Sequence, residues 1–423
     1  MSSWKEYNLI DLVSFSQGIQ VPVEEQYKEK SDNMERFIRI VDYTNPNEEP
    51  RYIIKKPNKY WVNENDVVMI RYGWAGKVVN GIKGYIANNM FRIIADKSDV
   101  LDKEYLYYFL LQRKIYEYLV SCNSSTTMPS IKFSDFNKIN IKLPTLEEQR
   151  YIVAFLKNFD KKIQLNTQIN QTLEQIAQTI FKSWFIDFDP VHAKANALAS
   201  GQTAEQATQA AMAVISGKNT QELHRLQTAN PEQYQQLWEI AEAFPGGFDE
   251  EGVPWGWAVK RIEDVIRKIP TGKKYSQKTA FEVGNIPILD QGKSGVIGYH
   301  NDEAGVKASI ENPVIVFANH TCYMRLISYD FSAIQNVFAF VGKESNVLWT
   351  YLATLGKQEF TEYKGHFPDF LIKEIIVPNN ELTELFGVVV KEHFQQIACN
   401  DKQNKTLANV RDLLLPKLLS GEV

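Results

Sequence analysis

Several short stretches of this chain combine side chains that could bond a nucleic-acid base edge with glycines that would let a backbone come close. Toward the N-terminus these are Arg71-Tyr72-Gly73-Trp74 with Lys77, the pair Asn88-Asn89, and Ser124-Ser125-Thr126-Thr127. Later come Gly272-Lys273-Lys274-Tyr275, Gln291-Gly292-Lys293-Ser294-Gly295, Asn319-His320 and Tyr363-Lys364-Gly365-His366. Arg and Lys can bond guanine edges, and Asn and Gln can bond adenine edges. Hydroxyls and backbone amides suit phosphates. Taken singly, each stretch reads as a solvated turn. Taken together they form a candidate base-reading set.

Catalytic chemistry finds less support. Gly292-Lys293-Ser294 would need a glycine five positions earlier to form a phosphate loop, and position 287 is proline. Asn45-Pro46-Asn47 and Asn312-Pro313-Val314 lack the second proline and the aromatic residue of a base-methylating loop. Pro368-Asp369 with Lys373 hints at a metal-dependent nuclease, but no Asp/Glu-x-Lys follows at a suitable distance. His320 and Cys322 could share a metal, yet no second ligand pair is evident. The expectation is a chain with no catalytic residues and no metal site.

The elements that must position the loops are duplicated. After Pro144 and after Pro378, one apolar pattern recurs at a shift of 234 residues. Ile152, Leu156, Phe159, Ile163, Leu173 and Ile180 return as Phe386, Val390, His393, Ile397, Leu407 and Leu414, and Asn166 and Asn170 return as Asn400 and Asn404. The heptad spacing predicts long helices over 146–187 and about 381–415, the first opened by Thr145 and Glu148 as a capping box. Their seam would hold Ile152, Leu156, Phe159, Ile163, Leu173, Ile180, Val390, Ile397, Leu407 and Leu414. The four asparagines either fix register from within it or face solvent.

Residues 1–142 and 253–377 read as two similar mixed α/β domains. Strand-like runs at 37–41, 67–70, 91–94 and 139–143 have counterparts at 286–289, 314–317, 337–340 and 375–377. A helix is expected over 102–120. Trp4 echoes Trp257, Glu64-Asn65 echoes Glu311-Asn312, and Asn89 echoes Asn336, while loop sequences differ. Like scaffolds with unlike loops suit two separate binding specificities. The remaining segments are a central helix region (143–192), a helical insertion and linker (193–252) and a C-terminal helix region (378–423). Within the insertion, 196–243 reads as two or three short helices of packing or covering role.

Composition sets bounds. The 423 residues allow several cores, and a net charge of −4 does not announce a nucleic-acid binder. Small basic excesses lie in the two α/β segments, and the connecting parts are acidic. Cys122, Cys322 and Cys399 are too far apart in sequence for a disulfide framework. No apolar run suggests a membrane span and the first residues do not resemble a signal peptide, so a cytoplasmic protein is expected.

Leu143-Pro144-Thr145-Leu146-Glu147-Glu148-Gln149-Arg150-Tyr151-Ile152-Val153, the heptad helix, and Ile180-Phe181-Lys182-Ser183-Trp184-Phe185-Ile186-Asp187-Phe188-Asp189-Pro190-Val191 resemble the specificity subunit of type I restriction-modification systems. Phe244-Pro245 through Trp257 is similar to that family's entry into its second recognition domain, and Leu413 through Gly421 to its ending. The resemblance runs the length of the chain. It implies an α+β fold in which two target recognition domains are joined by two long helices forming an antiparallel coiled coil, with a pseudo-twofold internal repeat. Each domain would read one half of a bipartite duplex DNA target, and the helices would set the spacing. Two methyltransferase subunits and two restriction subunits would be the partners, carrying S-adenosylmethionine, ATP and magnesium. Two other readings stay open: a stand-alone DNA-binding or regulatory protein of the same fold, and a diverged DNA-modifying enzyme.

Overall fold

Side-chain alternation along one buried strand builds two cores in each half of the protein. In the computed structural model, which describes residues 4–45, 48–122, 130–292, 295–362 and 364–422, strand Val67–Ile70 is buried throughout. Successive side chains of a strand point to opposite faces. Val67 and Met69 therefore enter a core with Phe91, Tyr105 and Phe136, whereas Val68 and Ile70 enter another with Phe37, Ile38 and Tyr85. Strand Val314–Ala318 repeats the device: Ile315 and Phe317 join Trp349 and Phe370, while Val314 and Val316 join Leu289 and Phe331.

The strand orders show how far the duplication extends. In the first half one sheet runs Val13–Gln17, Met90–Ala95, Val67–Ile70, Val78–Val79, all antiparallel. In the second half Ile266–Ile269, Val337–Gly342, Val314–Ala318 and Met324–Ile327 take the same order. A two-stranded pair, Lys5–Asn8 with Asn140–Leu143, is matched by Ala258–Arg261 with Glu374–Val377. The other sheets share a parallel pairing, Phe37 with Tyr85 and Ile288 with Ser332. They differ at one edge, where Trp61–Val62 stands in the first and Lys274–Tyr275 in the second.

By packing, the chain forms two compact units, Met1–Asn166 with Gln403–Val423, and Thr167–Lys402. The long helices Leu146–Phe185 and Asn380–Leu418 contribute residues to both. In the first unit Ile152, Val153 and Leu156 pack in one cluster with Leu415 and Leu419. In the second, Phe181, Trp184 and Phe185 surround Phe386, with ring centroids 5.3 Å apart between Phe185 and Phe386. One tether recurs. Gln149 Oε1 accepts the Asp102 amide at 2.9 Å, and Thr383 Oγ1, at the repeat position, accepts the Asn346 amide at 3.1 Å. Each of those residues caps a helix, Lys103–Leu111 and Val347–Thr354 respectively.

Three expectations need correction. The helix foreseen over 102–120 is two, Lys103–Leu111 and Arg113–Ser121, because buried Gln112 is extended (ψ 133°) and its amide caps the first through Phe109 O. The strand foreseen over 37–41 is Met34–Ile38. Ile40–Thr44 is helical because the buried Asp42 carboxylate accepts the Arg39 amide at 2.7 Å and faces both Arg36 and Arg39. The long helix stops at Phe185, and Phe188 is left-handed (φ 53°). Four short helices follow it: Asp189–Ala199, which starts ahead of the insertion, and then Ala204–Ser216, Thr220–Ala229 and Pro231–Glu242, in keeping with the two or three expected over 196–243. Proline in the first turn starts two of them, and capping boxes at Thr203/Gln206 and Asn219/Glu222 start the others. Lys194 is buried and gives its ammonium protons to the carbonyls of Ala241, Glu242 and Phe244, closing the last helix. Burial lowers its pKa from the ordinary lysine value.

Candidate nucleic-acid interface

The hairpin leaving Val67–Ile70 places the first set of candidate residues. The Arg71 amide donates to Asn89 O at 2.8 Å, and Arg71 O accepts from the Ile131 amide at 2.9 Å. The Arg71 guanidinium donates to Gln17 Oε1 at 3.1 Å. Gln17 in turn bonds the carbonyl of Asn88, the Tyr72 hydroxyl reaches the same carbonyl at 3.5 Å, and the Asn88 amide donates to Gln20 at 3.3 Å. Lys77 lies 4.6 Å from the centroid of the Tyr116 ring, and Trp74 is exposed. The structure thus unites Arg71, Tyr72, Asn88 and Asn89, carries Trp74 and Lys77 on the same hairpin, and adds Gln17 and Gln20. Gln17 ends the strand Val13–Gln17 and Gln20 lies just beyond it, and no sequence motif marks either. Ser124, Ser125, Thr126 and Thr127 lie outside the described residues.

The second set is built on the same plan with other side chains. The Asn319 amide donates to Asn336 O at 2.9 Å, and Asn319 O accepts from the His366 amide at 2.9 Å, so Asn319 takes the backbone place of Arg71. The His320 ring bonds Lys364 O at 2.8 Å through Nδ1 and meets the Asn336 amide at 3.2 Å through Nε2. Both ring nitrogens are therefore engaged, which removes the metal pairing with Cys322. Gln291 Oε1 accepts the His320 amide at 2.9 Å, and Thr321 Oγ1 donates to Gln291 O. An open depression of about 360 Å³ runs beside these residues between Thr321-Cys322-Tyr323 and Gln358-Glu359-Phe360. Burial pushes the Cys322 thiol up. Lys364 is exposed, and the hydrogen bonds it donates to Asp369 and Glu362 hold its pKa up. Lys293 and Ser294, like Tyr363, lie outside the described residues. Asn336 was visible in the repeat as the echo of Asn89.

Three candidates are corrected by burial. His366 has no exposed surface, and its ring bonds Glu362 O at 2.9 Å. Buried Asn319 turns its Oδ1 to the Phe367 amide at 2.8 Å. Tyr275 is buried in the edge strand Lys274–Tyr275, stacked on His300 at 4.1 Å and bonded to Asp302 at 2.9 Å. They hold loops in shape and present nothing to a ligand. Lys273 pairs with Asp302 at 2.8 Å, and Lys274 bonds Thr271. This group shares no hydrogen bond with the Gln291–His320–Lys364 set among the described residues. Hydrogen bonds from Lys273 and Tyr275 keep the Asp302 pKa low, and burial lowers that of His300.

Along the long helices every seam residue named from sequence is buried or half-buried. Asn166 and Asn400 are buried, against the solvent-facing alternative. Asn166 donates to Gln403 at 2.7 Å and Asn404 at 2.9 Å within the first unit. Within the second, Asn400 donates to Asn170 at 2.8 Å, and Asn170 donates to Asp401 at 2.8 Å. The 234-residue shift turns the pair 166–404 into the pair 400–170, so the two contacts are one contact written twice. The likeness then ends. Arg411 pairs with Asp160, which also accepts from Tyr108. Phe394 and Ala177 hold the corresponding positions in the other unit, in one apolar cluster. Burial and then Asp160 push the neighbouring Tyr107 hydroxyl up to about 12.

No group of three His, Cys, Asp or Glu side chains suited to a metal occurs among the described residues, nor any helix long and apolar enough to cross a membrane. Residues 1–175 match the family described as the type I restriction modification DNA specificity domain. The HindI specificity subunit of Haemophilus influenzae is 32% identical over 387 residues, covering 82% of this chain and 83% of its own. The MjaIX specificity subunit of Methanocaldococcus jannaschii is 27% identical over 374 residues, covering 80% and 75%. Among solved structures, the type I S subunit from M. genitalium aligns over 99% of this chain and 96% of its own at 14% identity, with a TM-score of 0.46. With a third of its residues shared with the first of these relatives across most of both lengths, the chain belongs to the specificity subunits of type I restriction enzymes.

Proposed function

We propose that this chain directs a type I restriction-modification complex to a bipartite duplex DNA target, each domain reading one half through its own loop set. One observation carries the reading: a single scaffold occurs twice, and the loops it carries differ, Arg71 to Lys77 in one copy and Asn319 to Tyr323 in the other. The paired helices set the distance between half-sites, and their asparagine contacts hold the register. Two methyltransferase subunits bind along these helices, where Tyr151, Val388 and Leu413 are exposed apolar side chains of the kind a partner covers. Two restriction subunits complete the assembly. S-adenosylmethionine, ATP and magnesium belong to those partners, and this chain contributes recognition without catalysis. The complex works on DNA in the cytoplasm.

The test is co-expression with the methyltransferase subunit of the same system, co-purification, and sequencing of methylated adenines. A two-part motif is expected whose first half changes when residues 1–142 are exchanged for those of a relative, and whose second half changes when 253–377 are exchanged. A stable complex that methylates without a two-part motif, or a motif indifferent to both exchanges, overturns the reading.

A further inference from the structure

The two hairpins that carry the recognition loops differ in length. Seven residues, Arg71 to Lys77, join Val67–Ile70 to Val78–Val79, whereas five, Asn319 to Tyr323, join Val314–Ala318 to Met324–Ile327. The longer loop is well braced at its base. The Gly76 amide donates to Ile70 O at 2.9 Å, the Ile70 amide donates to Lys77 O at 2.9 Å, and Lys77 N closes a turn on Trp74 O at 3.1 Å. Gly73 and Gly76 take φ of +88° and +84°, conformations that favour glycine. A side chain at Gly76 would meet the Tyr116 ring at 3.3 Å, so the hairpin lies directly against helix Arg113–Ser121. Among the described residues the second domain has no counterpart of that helix. After Val347–Thr354 the chain there runs on to line the open depression beside Thr321.

At the tip of this supported hairpin Trp74 is 46% exposed, and its indole makes no ring contact among the described residues. The same loop carries Arg71 and Tyr72, and Tyr72 reaches the carbonyl of Asn88, groups that bond base edges and phosphates. A large planar apolar ring held out on a braced turn is suited to stack on a planar apolar surface. In a DNA duplex that surface is a base face, reached where a step is unstacked. We infer that Trp74 is a stacking wedge that enters the duplex in the half-site read by the first domain, and that the second domain reads its half without one. This rests on the DNA-reading role proposed above. Pyrimidine–purine steps open most easily, so such a step is expected under the indole.

The experiment uses the full chain in complex with its methyltransferase subunits and duplexes carrying the two-part sequence found by methylation sequencing. 2-Aminopurine is placed in turn at each position of both half-sites except the methylated adenines, so that base flipping by the partner does not contribute. A fluorescence rise is expected at one position of the first half-site and at none of the second. Trp74→Ala should abolish it and weaken specific binding roughly tenfold or more, while Trp74→Phe retains most of both. Co-purification of Trp74→Ala with its partners, and unchanged recognition of the second half-site in hybrid targets, would show the variant intact. The inference is overturned if Trp74→Ala keeps the signal and binds within about twofold of the parent, or if the signal lies in the second half-site. A parent complex that binds no two-part DNA would instead overturn the specificity role, and this inference with it.

Discussion

Arg71 and His366 look alike on a list of polar loop residues, and the fold separates them. Arg71 is half-buried and steadied by Gln17, with its guanidinium in a loop cluster of base-reading type. Arg71→Ala should weaken specific binding by about 1–3 kcal/mol and relax selectivity in the first half-site only, with the thermal midpoint of the complex nearly unchanged. Competition binding against single-base variants checks this, and an evenly weakened response to all sequences would show a phosphate contact instead. His366→Ala should behave the opposite way. Its ring is bonded inside the protein, so its loss should lower stability by about 1–3 kcal/mol and leave base selectivity intact. Sequence could name the side chains but not their exposure. Nothing local in Tyr363-Lys364-Gly365-His366 says that the histidine turns inward, because burial is fixed by Asn319 and Glu362, 47 and four residues away.

The elements were legible where their periodicity was sustained and misread where one residue broke it. Heptad spacing located both long helices, since forty residues of one pattern leave little choice. The breaks at Gln112 and Phe188 depend on single backbone conformations that no pattern announces. The edge strand Lys274–Tyr275 reads as a loop in sequence because two residues are too few to show alternation. The asparagine contacts offer a test at this scale. Asn400→Ala removes the donor to Asn170 and the acceptor for Gln396 in a half-dry seam, and should cost about 1–3 kcal/mol in chemical denaturation. A double-mutant cycle with Asn170→Ala should show coupling above about 0.5 kcal/mol. Additive effects would mean that the pair is not a shared contact.

At the scale of the whole molecule the chain is a weak polyelectrolyte partner for DNA, with a formal net charge of −4. Few phosphates can be neutralised by such a surface, so the isolated chain should bind duplex DNA weakly and with a shallow dependence on salt. The slope should steepen once the methyltransferase subunits contribute their own contacts. Titrations at several salt concentrations decide it, and tight binding by the isolated chain at physiological salt would contradict the expectation. The duplication was the most readable fact of the sequence, and the sheets, caps and tethers repeat it. What sequence could not show was where the copies part company. Here the twin asparagine contacts matter in an evolutionary sense. In a dimer of identical chains any substitution is made twice, and an unfavourable one is paid for at both sites. In this chain a mutation falls on one contact alone. Asp160 with Arg411 could arise beside Phe394 and Ala177 at the repeated positions, and each half is free to drift while its twin preserves the joint.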